Sequence, residues 1–180
     1  MGGDLVVLRE LSIDDADALL DMRRRNQEFL RPLEPLRPDG FLSPASQRAD
    51  LEWSLRQRQA GLAYAFGIFQ AESGALCGRI ALSNIVRAAW QNCTVGYYVD
   101  EACNGRGYAT EALGLVTRFA LGPAGLHRVQ AGVMPRNTGS IRVVEKNGFR
   151  FEGLARNYLQ INGAWEDHNI YARTTEDLGA

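Results

Sequence analysis

The order of elements legible in this 180-residue chain predicts an α+β fold: a mixed, mostly antiparallel, seven-stranded sheet flanked by about four helices. Three observations carry that prediction. Strand-like and helix-like patterns alternate as β-α-α-β-β-β-α-β-α-β-β. Consecutive strand patterns at 63–70, 76–86 and 92–100 precede a long amphipathic helix. The chain then ends on two strand patterns joined by Asn162-Gly163, the strongest short hairpin signal present.

Leu5–Glu10 alternates and is β-branched, a first strand. Ser12 with Asp15 resembles a capping box and opens a helix to about Asn26, with Ile13, Ala16, Leu19, Leu20 and Met22 on roughly one face. Arg23, Arg24 and Arg25 close it and read as solvated cations at the negative end of the helix dipole. Phe29–Phe41 reads as loop because of Pro32, Pro35 and Pro38. It also carries Leu30, Leu33, Leu36 and Phe41, so it either packs on the core or forms one wall of a substrate site. Ser43-Pro44 predicts a helix N-terminus, with the helix running to about Gln59 and stopping at Gly61. Glu72-Ser73-Gly74 joins two hairpin strands, and a third runs from Asn92 to Asp100. After the next helix come a strand at Arg128–Met134 and a helix at about Thr138–Asn147, closed by Gly148 with Phe149 folding back. The last strands are Phe151–Gln160 and Trp165–Ala172.

Composition narrows the function. With 46% hydrophobic and 23% charged residues the chain is an ordinary globular protein, most simply one domain over 1–180. A net charge of −1 argues against nucleic-acid or membrane-surface partners. No apolar run reaches the ~20 residues that a membrane span needs, and the N-terminus lacks the pattern of a signal peptide. Cys77, Cys93 and Cys103 have no metal-like spacing and suit reduced thiols in a cytoplasm; no metal site is expected.

The stretch Asp100–Ala120 carries the first chemical signal. Asn104, Gly105, Arg106, Gly107, Tyr108, Ala109 and Thr110 form a small-residue loop that feeds a helix with the apolar stripe Ala112, Leu113, Val116, Phe119 and Ala120. Unpaired N–H groups and the positive end of the dipole at such a helix start bind phosphate or pyrophosphate. A dinucleotide fingerprint is absent, since the third glycine position is Thr110 and the loop follows the fourth strand rather than the first. The Gly-Lys-Ser/Thr of a Walker loop is absent too.

The segment Asn104-Gly105-Arg106-Gly107-Tyr108-Ala109 resembles the pyrophosphate motif Gln/Arg-x-x-Gly-x-Gly/Ala of the GNAT superfamily of acetyl-CoA-dependent N-acetyltransferases, departing from it at the first position. Val95–Asp100 resembles the family strand that pairs with the pantetheine arm. Asn137-x-x-Ser140, followed by Val144-x-Lys146-x-Gly148-Phe149, resembles the second cofactor segment. Asn162–His168 resembles the RimJ/RimL subgroup, the ribosomal-protein N-terminal acetyltransferases. The resemblance implies a strongly twisted GNAT-type sheet and acetyl-CoA as donor. It also implies a coenzyme site built from Tyr97, Tyr98, Val99, the 104–110 loop, Asn137, Ser140 and Lys146.

The residues themselves support such a site. Coenzyme A needs a phosphate cradle and an extended edge whose peptide groups can meet the amides of its arm, which are Gly105–Thr110 and Tyr97–Val99. Asn137 either caps the next helix or holds a pantetheine amide. Ser140 is placed to donate to the departing thiolate, with Tyr97, Tyr98 and Tyr158 as rivals. Lys146 is either a phosphate partner or a helix-end cation. For a base, His168, Asp167, Glu152 and Glu166 are the candidates, although alternation, which puts His168 on the side of Ile170 and Ala172, slightly favours a satisfied, half-buried histidine over a base. The position of the glutamate that RimL-like proteins are thought to use is Leu159 here, so that role does not carry over. Trp165 and Tyr158 flank the Asn-Gly turn and read as cross-strand packing beside the acceptor site.

The expected acceptor is a primary amine, preferentially a protein N-terminus, acetylated by a monomer or homodimer through direct transfer. A protein α-amine costs about 1.4 kcal/mol to deprotonate at pH 7, a lysine about 4.6. Two alternatives are a small-amine acetyltransferase acting on an antibiotic, amino acid or polyamine, and a non-catalytic acyl-CoA sensor. No acidic cluster near Phe29–Phe41 favours polyamines, and no Cys–His context makes Cys103 a nucleophile.

Overall fold

Seven strands form one sheet in the order β1-β2-β3-β4-β5-β7-β6. They are β1 (Val6–Arg9), β2 (Tyr64–Gln70), β3 (Leu76–Val86), β4 (Asn92–Val99), β5 (Arg128–Val133), β6 (Arg150–Ile161) and β7 (Ala164–Thr174). The helices are α1 (Ala16–Arg25), α2 (Gln27–Leu30), α3 (Pro44–Gln59), α4 (Tyr108–Leu121) and α5 (Thr138–Lys146). The computed structural model describes residues 1–178. No helix among them is long and apolar enough to cross a membrane.

The local rules hold where the sequence states them. Asp15 accepts the Ser12 N–H at 2.7 Å, closing a 3-10 turn at Ile13–Asp15 that leads into α1. Ser43 accepts the Ser46 N–H at 3.2 Å, with Pro44 in the first turn of α3. Asn162 and Gly163 both take positive φ, 46° and 85°, the requirement of a type I′ turn. Gly148, at φ 71°, ends α5, and the Phe149 N–H reaches back to the Val144 carbonyl.

Two regions depart from expectation. Phe29 and Leu30 lie in the short helix α2 rather than in a loop, and Arg31–Leu33 adds a 3-10 turn with Pro32 in its first positions. Asn26 makes this break from α1: buried, it donates to the Met22 carbonyl and accepts the Glu101 N–H, each at 2.8 Å. The arginines at the end of α1 are also not uniformly solvated. Arg23 is 5% exposed, and Arg25 is bound to buried Asp100 at 2.6 Å.

Each face of the sheet carries its own core. Alternate residues of the strands meet α4 and α5 on one side, through Ile68, Ile80, Leu113, Val116 and Val144. Leu11, Leu19, Met22, Leu51 and Phe69 pack with α1 and α3 on the other. Between these layers the only parallel pairing among the described residues joins β4 and β5, and its register covers just Asn92–Thr94 against Arg128–Gln130. Beyond Thr94, β4 continues along β3 to Val99 while β5 continues along β7 to Val133. The two central strands therefore part, and the gap between them opens onto both faces.

Helix α4 is tied to the far edge of the sheet by Glu111. Its carboxylate accepts the N–H groups of Asp4, Leu5 and Val6 at 2.9, 2.8 and 2.7 Å. A Cβ at Gly3 would lie 2.4 Å from the Glu111 carboxyl carbon, so glycine is required for this approach. Glu111→Ala should cost about 2 kcal/mol through three lost charge-assisted hydrogen bonds. In a chain of this size that lowers Tm by about 4–8 °C. An unchanged thermal midpoint would contradict the assignment.

Candidate active site

The gap between β4 and β5 is the floor of a cavity of about 860 Å³ that runs from the 103–110 loop, past Tyr97 and Ser140, to α2 and the β6–β7 hairpin. That size lies within the range of small-molecule and cofactor sites. Its wall includes Tyr97, Tyr98, Val99, Asn104, Gly105, Gly107, Tyr108, Ala109, Thr110, Asn137, Ser140, Lys146 and His168. The wall therefore brings together every coenzyme-site residue expected from the sequence except Arg106, which is exposed and lies outside it; of the other acid and base candidates, Glu152, Tyr158, Glu166 and Asp167 also lie outside.

At one end the loop adopts a conformation that only its glycines allow easily. Gly105 and Gly107 sit at φ 76° and 84°, and the first intrahelical bond of α4 runs from Glu111 N–H to the Gly107 carbonyl at 3.0 Å. The N–H groups of Tyr108, Ala109 and Thr110 precede that bond and have no carbonyl within the helix. No neighbouring atom lies within 4 Å of where a Cβ on Gly105 would stand, so the approach to this backbone is open. Arg142 and Lys146 on α5 line the same wall, exposed and without ion-pair partners among the described residues.

The β4 edge is equally specific. Asp100 donates its N–H to the Cys77 carbonyl on β3 at 2.8 Å, which fixes which residues of β4 pair with β3. By alternation, the N–H and C=O groups of Tyr97 and Val99 point the other way, into the gap left by β5. The cavity thus offers an unpaired, extended stretch of backbone next to a helix N-terminus.

Midway, the Tyr97 hydroxyl lies 2.8 Å from the Ser140 Oγ. Burial pushes the Tyr97 phenol up to about 12, the Ser140 contact opposing it in part. Asn137 caps α5: its side-chain oxygen accepts the Ser140 N–H at 3.0 Å, which leaves its amide NH₂ free at the cavity wall. Tyr98, one residue on, faces the other side of β4. Arg23 stacks on its ring with the guanidinium carbon 4.1 Å from the centroid, and its buried hydroxyl has no partner. Burial raises the Tyr98 phenol, with the Arg23 charge opposing. Tyr97 and Ser140 are therefore one unit, and Tyr98 belongs to the opposite wall.

That opposite wall settles the role of Phe29–Phe41. Phe29, Leu30, Leu33, Pro35 and Phe41 line the cavity, and the Asn162 N–H donates to the Glu34 carbonyl at 3.0 Å, tying the β6–β7 turn to the segment. Sequence reading missed the charges here. Arg23 donates to Glu34 at 2.8 Å, Arg37 shares that carboxylate at 2.7 Å, and Arg79 binds Asp50 and, at 2.8 Å, Ser54. A signal for Arg23 was present: it continues the stripe Ala16–Leu19 at helical spacing. The pairs on Asp50 and Glu34 leave no free carboxylate on this wall.

Of the base candidates, only His168 reaches the cavity. It is 3% exposed, and its Nδ1 lies 3.0 Å from the Glu166 carbonyl oxygen. A carbonyl only accepts, so Nδ1 carries the hydrogen and Nε2 presents a lone pair. Glu152 and Glu166 lie outside the cavity in ion pairs with Arg128 and Arg136, which hold both carboxyls below their usual range. Asp167 is used by the backbone, accepting the Asn157 N–H at 2.8 Å. That bond supports a bulge in β6 where Asn157 takes φ 47°, turning Tyr158 beside His168 and Leu159 into the cavity wall. Cys103 borders the cavity as a free thiol that accepts from Gln70, and neither histidine approaches it: His127 pairs with Glu176 and His168 with the Glu166 carbonyl.

Comparison with known proteins agrees with this geometry. Residues 6–150 match the acetyltransferase (GNAT) domain family. The chain is 39% identical to the probable N-acetyltransferase YjcK of Bacillus subtilis, covering 97% of each. It is 34% identical to the ribosomal protein uS5-alanine N-acetyltransferase of Escherichia coli, covering 97% of this chain and 90% of that one. Mycobacterium smegmatis RimJ, solved in complex with CoA-disulfide, superposes with a TM-score of 0.91 at 32% identity, over 97% of this chain and 84% of that one. The expectation drawn from the glycine loop, the Val95–Asp100 strand, the Asn137–Ser140 segment and the Asn-Gly hairpin thus holds, and the chain belongs to the GNAT superfamily as an acetyl-CoA-dependent N-acetyltransferase of the RimJ/RimL type.

Proposed function

We propose that the protein acetylates the N-terminal α-amine of a polypeptide by direct transfer from acetyl-CoA in a ternary complex. The observation that carries this reading is the proton-accepting inventory of the cavity. Both carboxylates in its wall, Glu34 and Asp50, are held by arginines, and His168 is left as the base. Without a free carboxylate there is nothing to anchor a polyamine. An α-amine, with a reference pKa of ~8, needs only weak help to lose its proton, whereas a lysine needs about 3 kcal/mol more. The names of the uS5-alanine N-acetyltransferase and RimJ relatives point the same way.

In this reading the N–H groups of Tyr108–Thr110, with Gly105 and Gly107, hold the pyrophosphate, and Arg142 and Lys146 face its charge. The gap-facing peptides of Tyr97 and Val99, with the Asn137 amide, bind the arm and bring the thioester to Ser140. The acceptor nitrogen attacks the carbonyl carbon, the C–N bond forms and the C–S bond breaks. The proton from nitrogen passes to His168 Nε2, directly or through water. The thiolate receives a hydrogen bond, and then a proton, from the Tyr97–Ser140 pair, a modest demand given a thiol reference pKa of ~8.5.

The direct test is incubation with acetyl-CoA and a panel of N-terminal peptides, polyamines, amino acids and aminoglycosides, read by mass spectrometry. Peptide α-acetylation is expected. Modification of small amines alone would overturn the acceptor assignment, and coenzyme binding with no product would indicate a sensor. Gly107→Val, which forces a β-branched residue to positive φ, should weaken coenzyme A binding by more than about tenfold in calorimetry. Unchanged affinity would remove the loop from the site. Ser140→Ala and Tyr97→Phe should each lower kcat by about 10- to 100-fold. Because burial raises the Tyr97 pKa to about 12, the phenol stays protonated through the assay range. For a peptide acceptor, kcat/KM should rise with pH as the α-amine deprotonates near ~8 and then hold level to about pH 10. A fall below pH 10 would contradict Tyr97 as a donor with this pKa.

A further inference from the structure

We infer that Arg37 is a carboxylate receptor in the acceptor half of the cavity, so that the preferred acceptor is a polypeptide N-terminus carrying an acidic side chain within its first few residues. This rests on the peptide-acceptor reading above. The acceptor wall holds three guanidiniums, Arg23, Arg37 and Arg79, against two carboxylates, Glu34 and Asp50. Asp50 is taken by Arg79. A single Glu34 oxygen, Oε2, accepts from both Arg23 and Arg37, at 2.8 and 2.7 Å. One positive charge is therefore left over.

The accessible part of that charge lies on Arg37. The Arg23 side chain is 6% exposed and sits between Glu34 and the aromatic rings, whereas the Arg37 side chain is 39% exposed. Arg37 is nevertheless held in place. Its Nη2 is bound to Glu34, and its guanidinium carbon lies 4.8 Å from the centroid of the Phe41 ring. Glu34 is in turn fixed by the hydrogen bond from Asn162 to its carbonyl. Nε and Nη1 of Arg37 have no partner among the described residues, and Nη2 gives Glu34 one of its two hydrogens; the other, with its neighbour on Nε or Nη1, leaves one edge of the fork for the two parallel hydrogen bonds of a carboxylate. A guanidinium in the cavity wall that is fixed by a ring and a carboxylate, with donors to spare, loses little side-chain entropy on binding an anion. A lysine placed at the same point would meet the surplus positive charge instead.

The test uses the full chain, acetyl-CoA and a series of eight-residue peptides beginning with Ala, with Glu at position 2, 3 or 4, and matched peptides with Gln or Lys there. At the best position, kcat/KM for Glu should exceed that for Gln by about fivefold or more, with Lys lower still. Arg37→Gln should bring the Glu/Gln ratio close to one, and Arg37→Lys, which keeps the charge and loses the fork, should restore part of it. Equal rates for Glu, Gln and Lys peptides in the unaltered protein would overturn this inference and leave the peptide-acceptor reading standing. Loss of rate in Arg37→Gln with an unchanged ratio would also overturn it, making Arg37 merely structural. Absence of any peptide acetylation, with coenzyme A still bound, would instead defeat the underlying reading.

Discussion

The parting of β4 from β5 after Thr94 is the constraint on which the rest of the molecule depends. Two strands that paired along their full length would satisfy each other's backbone and close the sheet. Here only a short parallel stretch pairs, and the far halves stay bound to their antiparallel neighbours β3 and β7. Polar backbone is left unpaired in the middle of a sheet, a costly arrangement unless water or a ligand satisfies it. The parted strands also create a route by which groups on opposite faces of the sheet can meet.

The elements around the gap divide the work accordingly. On one face, α4 and α5 begin at the gap, so the loop amides, Asn137 and Ser140 converge on one line beside Tyr97. On the other face, α1 and α2 end there, and the β6–β7 turn closes over them through Asn162 and Glu34. Arg25–Asp100 and Asn26–Glu101 stitch the end of α1 to the chain just before the glycine loop, so the two halves of the cavity share an anchor. Arg23, stacked on Tyr98 and paired with Glu34, is the inner post of that second wall. Its burial is tolerable because the cation finds both an aromatic face and a carboxylate.

Much of this was legible in the sequence, and what was not has a physical reason. The glycine loop, the caps at Ser12, Ser43 and Gly148, and the Asn162-Gly163 turn are contiguous signals whose meaning is set by backbone sterics alone. The strands and their succession along the chain followed from period and spacing, whereas their order in the sheet is a tertiary fact. By contrast, Arg23 looked like its neighbours Arg24 and Arg25, and only its place on the buried stripe of α1 separated it from them. Phe29 and Leu30 are helical despite the prolines that follow, because Asn26 breaks and restarts the chain through two side-chain bonds to distant backbone. The bulge at Asn157 and the ion pairs of Glu152, Glu166 and Asp50 are long-range facts. Nothing local marks a glutamate as occupied by an arginine many residues away, and so the list of possible bases could shorten to His168 only in the folded chain.

The central claim is that the unpaired edge of β4 is the seat of the donor's arm. Amide hydrogen exchange along β4, with and without coenzyme A, tests it most directly. The account predicts that the gap-facing amides of Tyr97 and Val99 become strongly protected when the coenzyme is present, while those of Gly67–Phe69 in β2, where the strand is paired on both sides, keep their rates. Equal exchange at Tyr97 and Val99 in both states, under saturating coenzyme, would contradict it.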